Sequence, residues 1–364
     1  MENLKTPLFA EHKKLNAKII SFGSWDMPVS YTGIIEEHAQ CRREAALFDT
    51  CHMGEFIFRG DIPASGIEAE VTQSIEKTPT GCNSYGFILN ENGGVIDDLI
   101  ISKISENELL LIVNAATREK DYIMLKDRLK SGELEDVSDT TSKIDLQGPL
   151  SNQVITDNLG LSIDLKFFRF SNYKVLGKDS IISRTGYTGE LGYEFYLDNS
   201  TAMKLWETLI SDNRVKPAGL GARDILRIEM GYSLYGNELD ENTTPVEAGL
   251  ENFVHFEKDF IGKGALLKQI EAGPRKTKIA FKTASRRSPR QHYKILSGSN
   301  EIGTVTSGCF SPMLNCGIGM GYIKSELKES VSGIIITDGN TVEIEAEVTE
   351  LPFYKNGSAR KKSN

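Results

Sequence analysis

The sequence predicts an α+β chain, with two mixed domains followed by a small all-β domain of barrel or sandwich type. Three observations predict it. The 364 residues exceed one ordinary domain. Up to about residue 260, strand-like runs alternate with segments of helical period. Beyond that point short strands follow one another, separated by regular turn signals.

Each element has a local reason. Residues 35–47 read as a helix, acidic early and with Arg42 and Arg43 late, the order a helix dipole prefers. Gly54 opens a strand that reaches Phe58. Residues 85–102 read as two strands about the turn Asn90-Glu91-Asn92-Gly93-Gly94, whose Asn-Gly pair suits positive φ. The second of these runs over 95–101. A third strand, 108–114, is rich in Leu, Ile and Val, and 117–130 reads as a helix stopped by Ser131-Gly132. A second set begins with a short strand at 144–146. Gln147-Gly148-Pro149 then opens a helix, with Pro near its first turn. Strands at 181–184 and 193–196 flank a Gly-rich loop. Ala202, Leu205, Trp206 and Leu209 share one helix face, and 222–230 is another helix. The last domain has strands at 279–281, 294–296, 303–306, 319–323, 333–336 and 342–348.

Composition excludes several classes of function. The formal net charge of −9 suits no bulk nucleic-acid binder, which needs clustered positive charge. Basic groups at Lys13 with Lys14, Arg286 with Arg287, and Arg360 with Lys361 and Lys362 read as solvated surface. The five cysteines fit no zinc or redox spacing and read as reduced thiols of a cytoplasmic protein, bacterial by default, and a processed mitochondrial protein would look the same. The N-terminus has neither a signal core nor an Arg-rich transit helix, and no apolar run reaches membrane-spanning length. No cluster has metal-ligand spacing. Neither Gly219-x-Gly221 nor Gly317-x-Gly319 completes a dinucleotide fingerprint. The expectation is no metal, no nucleotide, no nucleic acid and no membrane.

Three constellations place polar residues in apolar surroundings. Asp97 and Asp98 lie within Val95-Ile96-Asp97-Asp98-Leu99-Ile100-Ile101, and an unpaired buried carboxylate is costly. Either one carboxylate is aimed into a cavity, or the pair sits at an edge or turn bonded to backbone. Alternation does not choose between the two residues. The stretch from Ser183 to Glu194 holds three glycines, two tyrosines and a Glu at each end of Leu191-Gly192-Tyr193. It suits a flat aromatic ligand, whose amino edge a carboxylate can grip and whose face a Tyr ring can cover. It is equally an ordinary Gly-rich hairpin. Arg223 and Arg227 lie four apart on one helix face. One is a candidate ligand contact and the other an ion-pair partner. Met53 and Phe56 near His52 read as core residues.

Taken in order, these segments resemble the glycine cleavage aminomethyltransferase (T-protein) family. The resemblance is carried by Thr6-Pro7-Leu8-Phe9, Trp25-Asp26-Met27-Pro28, His52-Met53-Gly54-Glu55, Gly93-Gly94-Val95-Ile96-Asp97-Asp98-Leu99, Leu146-Gln147-Gly148-Pro149 and Arg184-Thr185-Gly186-Tyr187-Thr188-Gly189-Glu190. Gly219-Leu220-Gly221-Ala222-Arg223-Asp224, Leu234-Tyr235-Gly236, Pro245-Val246-Glu247-Ala248-Gly249-Leu250 and Thr306-Ser307-Gly308-Cys309 complete it. It implies a three-domain cloverleaf around a central folate cavity. The expected division is 1–50 plus 141–260 as one folate-binding α+β domain, 51–140 as a second that carries Asp98, and 261–364 as a small barrel. It implies transfer of a one-carbon unit from an aminomethyl group on a lipoyl carrier (H-protein) to tetrahydrofolate, the co-substrate, with release of ammonia. Within the family the second Asp of the Gly-Gly-x-x-Asp-Asp element is catalytic, which selects Asp98. Glu194 is expected on the pterin edge, Arg223 and Tyr187 on the folate, and Met53, Tyr85 and Asn114 on the cavity wall. The segment from Tyr354 to Arg360 is a further candidate contact, and Arg286, Arg287 and Arg290 are candidates for docking an acidic carrier. The alternatives within the same fold are a folate-dependent demethylase and a non-enzymatic folate-binding protein. Four positions depart from the family's usual residues: Leu191 for Asp, Phe253 for Trp, Cys51 for Ser and Ser24 for Gly.

Overall fold

Two sheets lie face to face, and a closed barrel packs against a helix that runs beside them. The structure, a computed structural model, describes residues 2–361; Lys362 of the basic tail lies outside them. The first sheet has six strands in the order Phe170–Val175, Lys178–Ser183, Gly192–Asp198, Thr141–Gln147, Ala45–Asp49 and Val215–Pro217. Its neighbours are antiparallel except the last pair. The chain leaves this sheet after Asp49, builds the second sheet, and returns at Thr141. The second sheet runs Asn83–Leu89, Val95–Ser105, Glu108–Val113, Gly54–Arg59 and Glu133–Asp136, antiparallel throughout.

Period-two alternation gives each sheet two faces. On the first, Ile144, Leu146, Phe195 and Leu197 pack with Val154 and Ile155 of helix Ser151–Leu159 and with Leu205 and Trp206 of helix Asn199–Ile210. On the second, Phe56, Phe58, Leu99, Ile101 and Leu111 pack with Leu125 of helix Arg118–Arg128. The opposite faces meet each other. Leu110, Ile112 and Tyr196 are buried there, with Met53, Ile57, Ile100 and Ile181 against them. Every charged side chain on these inner faces therefore needs a partner.

The six strands expected beyond residue 260 are present. In barrel order they are Lys276–Thr283, Cys316–Lys324, Asn300–Ser311, Lys294–Ser297, Gly333–Thr337 and Glu343–Thr349, and the last closes on the first. Closure leaves no free sheet edge. The hairpin at residue 90 also forms. Asn90 Oδ1 accepts from the amides of Asn92 and Gly94, and Gly93 alone takes positive φ, at 83°.

Some expectations fail. The helix read over 35–47 ends at Arg43, and Ala45–Asp49 is a strand. All five of its residues are buried, and Leu47 faces Leu146 across the ladder. The helical propensity of Ala and Leu yields there to central pairing. Strand Phe170–Val175 was not legible, because only its two end residues are buried and its interior is polar. The region after 260 is not purely β, since helix Lys263–Ala272 precedes the barrel.

Helix Leu220–Met230 joins the sheets to the barrel. Ile225 and Ile228 bury against Met320, Ile318 and Cys309. Arg42, on helix Ile34–Arg43, fixes it. Its Nη2 donates to Glu229 Oε2 at 2.7 Å and its Nη1 to Glu190 Oε1 at 2.8 Å and Thr188 O at 2.7 Å. Glu229 Oε1 accepts from Ser311 Oγ in the barrel at 2.6 Å. Arg42, Glu190 and Glu229 side chains are all at most 3% exposed. Arg42→Met should therefore destabilise the chain by about 3–5 kcal/mol, because two buried carboxylates lose their cation. Urea unfolding checks this, and a midpoint equal to wild type would contradict it.

Candidate functional site

Strand Val95–Ser105 divides the two aspartates between its faces. Leu99 and Ile101 belong to the core beneath helix Arg118–Arg128, whereas Ile100 belongs to the patch between the sheets. Asp97 shares the first face and is fully buried. Asp98 shares the second and stays partly accessible. Tyr85 Oη donates to Asp98 Oδ2 at 2.9 Å, and Asn114 Nδ2 donates to Asp98 Oδ1 at 3.0 Å. The same amide reaches Asp97 Oδ1 at 2.9 Å, and the Asn114 backbone N–H reaches Asp97 Oδ2 at 3.0 Å. Burial and the charge of Asp97 push the Asp98 carboxyl up to about 7, against the hydrogen bonds from Tyr85 and Asn114. The Tyr85 ring is held edge-on by Phe253 at 4.9 Å and Phe87 at 5.4 Å. Phe253 thus supplies the aromatic edge at its departed position.

The facing sheet presents a chain of charges. Lys143 and Asp145 alternate with the core residues Ile144 and Leu146, and Glu194 sits across the ladder from Asp145. Lys143 Nζ donates to Asp145 Oδ1 at 2.7 Å and to Glu194 Oε1 at 2.8 Å. Arg223 Nη1 donates to Asp145 Oδ2 at 2.9 Å. Burial opposes the charge on Lys143, but Asp145 and Glu194 outweigh it and raise the ammonium above its usual range. Burial likewise opposes the Asp145 carboxylate, which Lys143 and Arg223 nevertheless hold below the usual range. Glu194 Oε2 accepts from Tyr196 Oη at 3.1 Å and from the Thr185 hydroxyl.

The Gly-rich loop brings Tyr187 beside Arg223. Tyr187 donates its hydroxyl to Ser233 O and stacks on Tyr232 at 5.7 Å. The Arg223 guanidinium lies over the Tyr187 ring at 5.1 Å. The field of Asp98 reaches Tyr187. Asp98, Tyr85 and Asn114 therefore form one hydrogen-bonded group, and Glu194 and Arg223 a second, linked through Asp145 and Lys143, with Tyr187 under the Arg223 guanidinium. Met53 stands in the apolar patch between the sheets. Arg227 turns instead to Glu238 at 2.8 Å and Ser307 at 2.7 Å and is structural.

Sequence reasoning missed Lys143, Asp145 and Glu55. The signal for the first two was present, because Lys143-x-Asp145-x-Gln147 is a polar stripe on one face of a strand. Glu55 is fully buried and neither of its oxygens has a partner among the described residues. Burial raises its carboxyl well above the usual carboxylate range. His52 is buried too, and burial lowers it to about 4, so its imidazole is neutral. Leu191 packs into the core of the first sheet, while its amide donates to Ser358 Oγ at 2.8 Å. The C-terminal segment thus clasps the loop at that departed position. Among the described residues no group of three or more His, Cys, Asp and Glu could hold a metal ion.

Known proteins match along nearly the whole chain. Residues 8–258 match the model of the GCVT N-terminal domain, and residues 276–355 that of the glycine cleavage T-protein C-terminal barrel domain. An aminomethyltransferase of Halothermothrix orenii is 43% identical over 355 residues, covering 96% of this chain and 99% of that protein. One from Thermotoga maritima is 40% identical over 365 residues, covering 98% and 99%. The crystal structure of glycine cleavage system aminomethyltransferase T from Bartonella henselae superposes with a TM-score of 0.91 at 31% identity, covering 98% of this chain and 99% of that one.

The Asp98 group yields a prediction of its own. Tyr85→Phe removes a donor that lowers the Asp98 carboxyl, so the titration midpoint of Asp98 should rise above the wild-type value. Carboxyl-carbon NMR titration reads it, and an unchanged or lower midpoint would contradict the assignment of the Tyr85 bond.

Proposed function

Since the chain belongs to the glycine cleavage T-protein family of aminomethyltransferases, we propose that its one-carbon chemistry turns on the Asp98 carboxylate. The chain is a folate-dependent transferase of the glycine cleavage system. The full-length aminomethyltransferase relatives favour this over a demethylase or a folate-binding protein without activity. The carrying observation is a partly accessible carboxylate held between Tyr85 and Asn114 and raised to about 7.

In this reading the substrates are tetrahydrofolate and the aminomethyl group on the reduced lipoyl arm of the H-protein. The carbon–sulfur and carbon–nitrogen bonds of that group break. Two carbon–nitrogen bonds to folate amines form, and the two amine protons leave on the thiol and on ammonia. Positive charge develops on the transferring carbon, and ionised Asp98 opposite it stabilises that charge. The same carboxylate orients the attacking folate amine and takes up its proton.

The second group binds the folate. Glu194 Oε1 accepts one bond, from Lys143, and keeps a lone pair for an N–H of the pterin edge. Tyr187 covers the ring and Arg223 steadies it from the helix, while Met53, Tyr85 and Asn114 line the wall. In this reading residues 2–50 and 141–260 belong to the folate-binding domain and 51–140 to the domain that brings Asp98, with the barrel after them. Five free cysteines support a cytoplasmic location.

Asp98→Asn should lower turnover by about 10²–10³-fold while tetrahydrofolate still binds. Ammonia release from aminomethyl-loaded H-protein reads the first and calorimetry the second; wild-type turnover would sink the assignment. In the wild-type protein turnover needs the ionised carboxylate. The rate should then rise about tenfold per pH unit below 7 and level off above it. A flat profile through pH 7 would remove Asp98 from the rate-determining ionisation. Glu194→Ala should weaken tetrahydrofolate binding, and equal affinity by calorimetry would exclude the pterin contact.

A further inference from the structure

Behind the Asp98 strand lies a second carboxyl that the mechanism does not use. Asp121 sits in the first turn of helix Arg118–Arg128 and is fully buried. Neither of its oxygens accepts a hydrogen bond from a donor among the described residues. The neighbouring hydroxyl, Thr117 Oγ1, already donates to Asn114 O at 3.1 Å. The neighbouring ammonium, Lys120 Nζ, is turned away to Glu241 Oε1 at 2.9 Å and Ile96 O at 3.2 Å. Asp121 lies against the carboxyl of Asp97, with the Thr117 hydroxyl beside it. Two buried carboxyl groups in contact cannot both be ionised, and only a proton can bridge them.

Resting on the reading of Asp98 above, we propose that Asp121 is a carboxylic acid sharing one proton with Asp97, and that it is a positioning residue for Asp98. The bonding order runs in one direction. The Asp121 acid donates to Asp97, and Asp97 accepts from the Asn114 backbone N–H and from Asn114 Nδ2. Asn114 Nδ2 is thereby held against Asp98 Oδ1 and Asp98 O, at 3.0 and 3.1 Å. One proton shared by these two carboxyls leaves a single negative charge behind Asp98, which raises Asp98 without flooding the site with charge.

The surroundings agree with that distribution. Burial and the charge of Asp97 push Asp121 up to about 9, so the acid persists through neutral pH. Lys120 and Thr117 face Asp121 from its own helix. Tyr235 and Glu241 lie beyond Lys120, and Tyr85 and Tyr187 face Asp98 from the opposite side. Of these, Lys120 alone carries positive charge, and Glu241 pairs with it.

Asparagine is the uncharged mimic of a protonated aspartate, so two variants separate acid from anion. Asp121→Asn keeps a donor toward Asp97 and should hold kcat within about twofold of wild type. Asp121→Ala removes the donor and should lower kcat by about tenfold, the worth of one strong hydrogen bond, with KM for tetrahydrofolate unchanged. A merely structural role would lower stability without lowering kcat at unchanged KM. Infrared difference spectra of wild type against Asp121→Asn at neutral pH should show the loss of one protonated-carboxyl band. That band reads the shared proton whether or not Asp98 is the reacting group, so failure of the Asp98 reading is distinguishable from failure here. No lost band, an Asn variant as impaired as Ala, or wild-type kcat in the Ala variant would each overturn the proposal.

Discussion

The arrangement depends on a cation buried where two sheets meet. The Lys143 side chain is 2% exposed and would lose its proton if left alone there. It keeps its charge because Asp145 and Glu194 lie at 2.7 and 2.8 Å. Those two carboxylates come from adjacent strands, and Asp145 also accepts from Arg223 on helix Leu220–Met230. One ammonium therefore sets the relative position of two strands and a helix. Removing a partner from such a buried set costs about 3–5 kcal/mol, far more than a surface pair. The orientation of Glu194 and Arg223 is fixed before any ligand arrives.

The opposing sheet uses the same physics with the sign reversed. Asp98 has neutral donors and a like charge nearby, where Asp145 has two cations. Burial then pushes Asp98 up to about 7, whereas Asp145 stays below the usual carboxylate range. A carboxylate balanced near neutrality responds to small changes around it. One locked in ion pairs does not. The two sheets thus supply a rigid polar wall and a titratable group facing it.

Helix Leu220–Met230 couples this wall to the barrel. Arg223 points to Asp145, and one turn later Arg227 points to Glu238 and Ser307. Glu229 completes the link through Arg42 and Ser311. The barrel therefore acts at a distance, by holding the helix that carries Arg223. The C-terminal segment adds a clasp, since Ser358 bonds Glu190 and the Leu191 amide in the Gly-rich loop. The loop keeps its shape through these bonds, and Leu191 spends its side chain on the core.

The sequence by itself determined the parts whose physics is local. The barrel strands, the Asn90 hairpin and the oddity of two aspartates among aliphatics follow from alternation, turn chemistry and the cost of burying charge. Motif order supplied the family. Tertiary structure alone decided matters set by what lies on each face. Asp97 and Asp98 are chemically alike, and only the packing of helix Arg118–Arg128 on one side makes one internal and the other accessible. Ala45–Asp49 has helix-forming composition and becomes a strand because it is paired on both sides, with Thr141–Gln147 and with the edge strand Val215–Pro217. Lys143 and Asp145 read as an ordinary polar stripe until a second sheet covers them, because burial is a property of the assembled chain and not of any segment.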